Sequence, residues 1–303
     1  MNRGHARAVS LHRSGELAER AGRAVAALEE CELCPRRCGV NRVAGEIGVC
    51  RVGRLANVAS ASPHFGEERP LVGTHGSGTV FFSGCNLRCS FCQNCDISHE
   101  AVGVEVDAAG LARIMLELQS HNCENINLVT PSHVVPQILE ALDVALREGL
   151  DIPIVYNSSA YDSLETLRLL DGVVDIYMPD FKFWHGEGAR WLDGVTDYAD
   201  VATAAVREMH RQVGDLEIVR GVAVSGLLVR HLVMPRGAAN SRAIMRFLAS
   251  LSPETYVNVM GQYRPAHRAR RDPVIGTSST YEEVAGAVEA ARDAGLRRID
   301  GHI

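Results

Sequence analysis

Thr79-Val80-Phe81-Phe82-Ser83-Gly84-Cys85-Asn86-Leu87-Arg88-Cys89-Ser90-Phe91-Cys92-Gln93-Asn94 joins an apolar run to a loop carrying three cysteines, spaced Cys-x3-Cys-x2-Cys. The run 79–83 reads as a buried strand that delivers the loop to its end. Three thiolates this close together can hold three irons of a [4Fe–4S] cube and leave the fourth iron open. An open iron binds a small molecule directly, which a catalytic cluster requires. A zinc knot is the competing reading. Structural zinc takes four ligands, and Cys95 stands nearby. Phe91 before the last cysteine and the Gly84-Cys85-Asn86 lead-in weigh against zinc, and Cys95 fits none of the three cube positions.

Outward from this loop, short apolar runs alternate with amphipathic patterns. Strands are expected at 79–83, 125–129, 152–156, 173–178, 226–233 and 255–260. Helices are expected at 107–120, 133–148, 162–170, 197–212, 240–251 and 280–294. Runs such as Ile152-Pro153-Ile154-Val155-Tyr156 are continuously apolar, as in parallel strands covered by helices. Six βα units predict an α/β fold, an open or partial (β/α)6 barrel with chemistry at the carboxyl ends of the strands. Ahead of it, 10–30 reads as an amphipathic helix with Leu17, Ala21, Ala24, Val25 and Leu28 on one face. A Gly-, Arg- and Cys-rich stretch follows to about residue 55. The expected division is a small cysteine-rich extension, 1–60, and a barrel, 61–303.

The chain has 303 residues with 46% hydrophobic content, enough for one large domain and an appendage. Nothing approaches the ~20 apolar residues of a membrane span, and Met1–Arg7 lacks the apolar core of a signal peptide. A cytoplasmic protein with no membrane partner is expected, in which nine cysteines argue for metal rather than disulfides. A net charge of −6 gives no support for nucleic-acid binding. Of 31 Lys and Arg residues a single one, Lys182, is lysine. Where a compact ammonium is needed, arginine's planar fork is a poor substitute. Lys182 therefore marks either a site or an accident of composition.

The cysteine motif resembles the radical S-adenosylmethionine (SAM) superfamily. There the amino and carboxylate groups of SAM chelate the open iron of a [4Fe–4S] cluster held by residues matching Cys85, Cys89 and Cys92. An electron from the cluster then cleaves SAM to methionine and a 5′-deoxyadenosyl radical. Cys92-Gln93-Asn94, Met178-Pro179-Asp180-Phe181-Lys182 and Tyr256–Pro265 narrow the resemblance to proteins similar to pyruvate formate-lyase activating enzyme, over about residues 30–300. Asp180 and Lys182, two apart at a strand end, share a face and resemble the Asp-x-Lys element of glycyl-radical-enzyme activases. In those enzymes the lysine meets the SAM carboxylate. Arg230 and His231 resemble residues reaching the SAM or substrate pocket. A charge inside an apolar strand needs a partner, so Arg230 faces either SAM or a structural carboxylate. The usual Gly-Gly-Glu segment after the second strand is missing. Asn125–Pro131 stands in its place, with Asn127, Thr130 and Ser132 as SAM contacts, although Thr130-Pro131-Ser132 also suits a helix cap. Asn157 and Ser158 suit a ribose or simply a turn. Asn258 and Gln262 share a face with Met260 and extend the expected pocket. The resemblance implies a reducing donor such as flavodoxin or ferredoxin.

Cys31-x2-Cys34-x3-Cys38-x11-Cys50 forms a second set. Four thiolates suit a closed zinc site or an auxiliary iron–sulfur cluster, and spacing does not choose between them. Three functions follow: a radical SAM enzyme abstracting hydrogen from a glycine of a partner protein, the same chemistry on a small molecule or another protein residue, and a non-catalytic zinc-binding module.

Overall fold

A computed structural model describes residues 6–184 and 186–301. Residues 1–5, read above for targeting features, lie outside the described residues, as do 185, 302 and 303. Seven strands form a parallel sheet in chain order: β2 (Ser77–Phe82), β4 (Ile126–Val129), β5 (Ile154–Ser158), β6 (Ile176–Pro179), β8 (Val222–Leu232), β9 (Tyr256–Met260) and β10 (Arg298–Asp300). β1 (Ala56–His64) pairs antiparallel with β2, and β3 (Val104–Val106) with β1. β7 (Glu217–Val219) pairs antiparallel with β8. The fold is mixed α/β with a mostly parallel sheet. All six expected strands are present, and four more join them.

The strands are linked by α5 (Ala108–Ser120), α6 (Val135–Arg147), α7 (Leu164–Leu169), α8 (Tyr198–Val213), α9 (Ser241–Leu251) and α10 (Tyr281–Asp293). Each expected helix appears within a few residues. Local chemistry starts them: the Asp107 carboxylate accepts from the Gly110 N–H at 2.7 Å, and Thr280 and Glu283 form a capping box. The expected helix 10–30 is instead two, α1 (Ala8–Ser14) and α2 (Glu16–Ala26), broken at Gly15 with φ +81°. Leu17, Ala21 and Ala24 of α2 join the main core with Leu139 and Leu142 of α6. Residue 60, where the extension was expected to end, falls inside β1.

β5 and β6 are buried along their whole length. On the helix-covered side Tyr156, Tyr177, Leu227 and Val229 enter the main core, with both hydroxyls bonded, to Asp162 at 2.8 Å and Gln212 at 2.6 Å. On the other side Val155, Ile176, Met178 and Leu228 form a second cluster around Leu71. Leu71 lies on the one-turn helix α3 (Arg69–Val72). Replacing this fully buried leucine by alanine costs about 2–5 kcal/mol by analogy with other cores. Above this apolar layer most inner residues turn polar: Asn157 stands in register with Val129, Asp180 with Arg230, and Arg230 with Asn258. No helix among the described residues is long and apolar enough to cross a membrane.

Candidate iron–sulfur site

The three-cysteine loop leaves β2 through Ser83 and Gly84. Gly84 has φ +81°, and a Cβ there would stand 2.3 Å from the Cys50 carbonyl oxygen. Only glycine accepts that backbone and that approach. The loop then places Cys85, Cys89 and Cys92 on one cavity of about 220 Å³. Its wall continues through Phe81, Leu87, Phe91, Val129, Thr130, Asn157, Ser158, Asp180, Lys182, Arg230 and Leu232. The Leu87 N–H donates to Cys85 Sγ at 3.3 Å, and Cys92 Sγ lies 3.1 Å from Ser98 Oγ. Burial pushes the Cys89 and Cys92 thiols up, and neighbouring thiolates push further. Lys182 pulls both down, and the Ser98 hydroxyl pulls Cys92 down as well. Bound metal offsets that cost outright, because it holds sulfur as thiolate. The donor set thus suits an iron–sulfur cluster.

Opposite the cysteines runs a chain of charges. Lys182 Nζ donates to Asp180 Oδ2 at 2.7 Å, and Arg230 Nε donates to Asp180 Oδ1 at 2.7 Å. Arg230 also donates to Asn157 Oδ1 at 2.8 Å and lies 3.7 and 3.9 Å from Glu67 and Glu68. Burial raises the Asp180 carboxyl, but Arg230 and Lys182 outweigh it and hold the group at about 2. Burial lowers Lys182, yet Asp180 wins and its ammonium is held above the ordinary range. The anion facing Arg230 inside the protein is therefore Asp180, with two glutamates behind it. Thr130 sits at the end of β4 with φ +62°, an uncommon conformation for a β-branched residue that turns up at ligand sites.

Other expected residues lie elsewhere. Ser132 is buried against Asp162 and Tyr156. His231 points to the opposite side of β8 from Arg230. Its Nδ1 bonds the Phe181 carbonyl and its Nε2 the Ser241 hydroxyl, each at 2.8 Å, and burial lowers it to about 4, so it is neutral. Asn127 is fully buried, with neither side-chain polar atom hydrogen-bonded. Asn258 donates to Glu68 Oε1 at 2.9 Å and, with Gln262, lines a neighbouring cavity beyond Arg230. Cys95 begins the short helix α4 (Cys95–His99) and does not line the cavity, although Asn94, Ile97 and Ser98 around it do. The sequence reading missed Glu67 and Glu68, because the Ala- and Ser-rich strand before them carries little apolar pattern.

Cys31, Cys34, Cys38 and Cys50 converge on a second, nearly filled space with Arg36, Arg42, Asn86 and His133. Arg42 is 1% exposed and donates to the carbonyls of Gly53 and His133, with Cys31 Sγ at 3.9 Å. A buried cation is costly without negative charge, and metal-bound thiolates would supply it. Burial pushes Cys34 up to about 12 and raises Cys50, which Arg42 pulls back. Asn86 joins the two cysteine systems, since it follows Cys85 and reaches the second space. Among the described residues no three His, Cys, Asp or Glu side chains are set to hold a single metal ion.

Residues 72–176 match the family model of the 4Fe-4S single cluster domain, which spans all three cysteines of the loop. The chain is 34% identical over 271 residues to the uncharacterized protein MJ0674 of Methanocaldococcus jannaschii, covering 87% of this chain and 74% of the relative. The chain is an iron–sulfur protein and belongs to the same family as that archaeal protein.

Proposed function

We propose that this protein is a radical SAM enzyme of the activase-like kind, built on a partial (β/α)6 barrel. One observation carries the reading: a loop with three thiol ligands and the Lys182–Asp180–Arg230 chain open onto a single cavity. A [4Fe–4S] cluster, which Cys85, Cys89 and Cys92 would hold, would supply one electron and an open iron site for the reductive cleavage of SAM. The chain's own residues bind and shield. Lys182 spends one N–H on Asp180 and keeps others for the SAM carboxylate. Thr130 offers a hydroxyl and Asn157 an amide to the nucleoside and amino group, whereas the Ser158 hydroxyl is already spent, donating to Asp162 at 2.7 Å and accepting from the Ala160 N–H at 3.1 Å. Phe81, Leu87, Phe91 and Leu232 exclude water. Asp180, held near 2, stays ionised and donates no proton at neutral pH. The activase resemblance points to a glycine of a partner protein as hydrogen donor, and to a cytoplasmic setting in which the thiols stay reduced. The consecutive order of the parallel strands supports the barrel.

The test is anaerobic reconstitution followed by iron, sulfide and 5′-deoxyadenosine analysis with dithionite as reductant. About four irons per chain are expected, or about eight if the four-cysteine site also holds a cluster. Cys85→Ala, Cys89→Ala and Cys92→Ala should each abolish 5′-deoxyadenosine. Zinc without iron, or wild-type turnover in any of the three variants, would overturn the assignment.

A further inference from the structure

We propose that the arginine-rich face beside the three-cysteine loop docks a small acidic redox protein that delivers one electron to the site. The inference rests on the iron–sulfur enzyme reading above and adds where its reductant binds. It begins with charge placement. The chain carries a net charge of −6, yet residues 264–271 read Arg-Pro-Ala-His-Arg-Ala-Arg-Arg with no acid among them. The single turn His267–Arg271 buries Ala269 and leaves Arg268, Arg270 and Arg271 exposed. Those three make no ion pair among the described residues.

This turn is tied to the cysteine loop itself. The N–H groups of Arg268 and Ala269 both donate to the Ser90 carbonyl, at 2.9 and 3.1 Å. Ser90 directly follows Cys89. On its other side the Ser90 N–H donates to the Trp191 carbonyl at 2.8 Å, and Cys89 pairs with Leu192. That brings up Arg190, whose guanidinium lies 4.2 Å over the Trp191 ring. Arg88, Arg190 and Arg268 rim a surface depression of about 350 Å³. Three acids share the face, one of them the exposed Glu100 beside His267. Asp193 pairs with Arg88 at 3.2 Å. Asp272 accepts from Trp191 Nε1 at 2.9 Å and from the backbone of Val274 and Ile275. The surplus is positive.

A packed route joins this face to a cluster ligand. Cys92 Sγ touches Ser98 Oγ at 3.1 Å, Ser98 Oγ meets His99 Nδ1 at 2.8 Å, and the rings of His99 and His267 lie 4.7 Å apart. His267 opens the basic turn. A buried redox site needs an external reductant to approach closely, and a cationic rim around its nearest surface selects an anionic one. The donor is oxidised by one electron, which passes to the iron held by the loop. No bond forms or breaks and no proton moves.

The test uses reduced flavodoxin as donor and the full, anaerobically reconstituted chain, comparing wild type with R268E/R270E/R271E and with the milder R268Q/R270Q/R271Q. Calorimetry measures donor binding in 0.1 M and 1 M salt, where the screening length falls from about 10 Å to about 3 Å. Stopped-flow bleaching compares reduction by flavodoxin with reduction by dithionite. We expect the charge-reversed variant to bind flavodoxin at least tenfold more weakly in 0.1 M salt, the neutralised variant to fall between, and the three to converge in 1 M salt. The ratio of flavodoxin-driven to dithionite-driven bleaching should fall at least tenfold. Equal affinity, or an unchanged ratio, would overturn the docking surface. Absence of 5′-deoxyadenosine in wild type would instead overturn the enzymatic reading, while the calorimetry would still decide the surface.

Discussion

Replacing Lys182 tests the site at its most specific point. Its Nζ lies 2.7 Å from Asp180 Oδ2, while Arg230 holds the other carboxylate oxygen at 2.7 Å. Lys182→Met therefore removes a cation without stranding Asp180, whose carboxyl should rise from about 2 but keep Arg230 as partner. The loss to SAM is one charge-assisted hydrogen bond, about 1.5–3 kcal/mol. At about 1.4 kcal/mol per decade this is roughly a tenfold to hundredfold weaker Kd. Lys182→Arg keeps the charge but should fare little better. A guanidinium at 182 presents a wide planar fork in place of a point-charge ammonium, and with Arg230 still holding Asp180 Oδ1 that fork has no room to reach both Asp180 and the SAM carboxylate. Isothermal titration of SAM onto the reconstituted protein gives the answer, with iron content as the check on cluster loading. A Lys182→Arg protein that binds SAM as tightly as wild type would show that the lone lysine is an accident of composition.

Two further perturbations probe the architecture around it. Gly84→Ala should lower stability by at least about 2 kcal/mol, because φ is +81° and the new Cβ would meet the Cys50 carbonyl oxygen at 2.3 Å. An unchanged urea midpoint would contradict the close contact between the two cysteine systems. Cys95→Ala should leave iron content and SAM-dependent spectral shifts intact, since Cys95 stands outside the cavity wall. Loss of the cluster in that variant would make Cys95 a ligand and close the iron expected to bind SAM.

Much of this protein was legible in one dimension because its signals are local. Three cysteines within eight positions must share a loop, and apolar runs alternating with amphipathic stretches must build a layered α/β fold. A lysine and an aspartate two apart at a strand end must share a face. The lone Lys182 did land beside the cysteines, bonded to Asp180. Reading failed where pattern was weak or the partner distant. β1 is rich in Ala and Ser, and β3, β7 and β10 are three residues each, too short to show a period. The proposed helix 10–30 broke at a single glycine whose backbone the amphipathic pattern could not reveal.

Residue chemistry and spacing by themselves determined the layered class, the three-thiol loop and the shared face of Asp180 and Lys182; that the two pair with each other came from the folded chain. Only the folded chain decided which polar residues reach the cavity. His231 and Arg230 are adjacent, yet one faces the helices and the other the cavity, because strand side chains alternate. Asn258 and Gln262 went to a neighbouring cavity, which they line together with Glu67 and Glu68, because Arg230 stands between it and the cysteines as a wall of both. The Cys50 carbonyl met Gly84, and the basic turn after β9 met Ser90, because sheet pairing and loop packing brought together segments that are 34 and about 178 residues apart in the chain. Such contacts are set by how whole elements bury their apolar faces, a property of the assembled core that no short window of sequence contains.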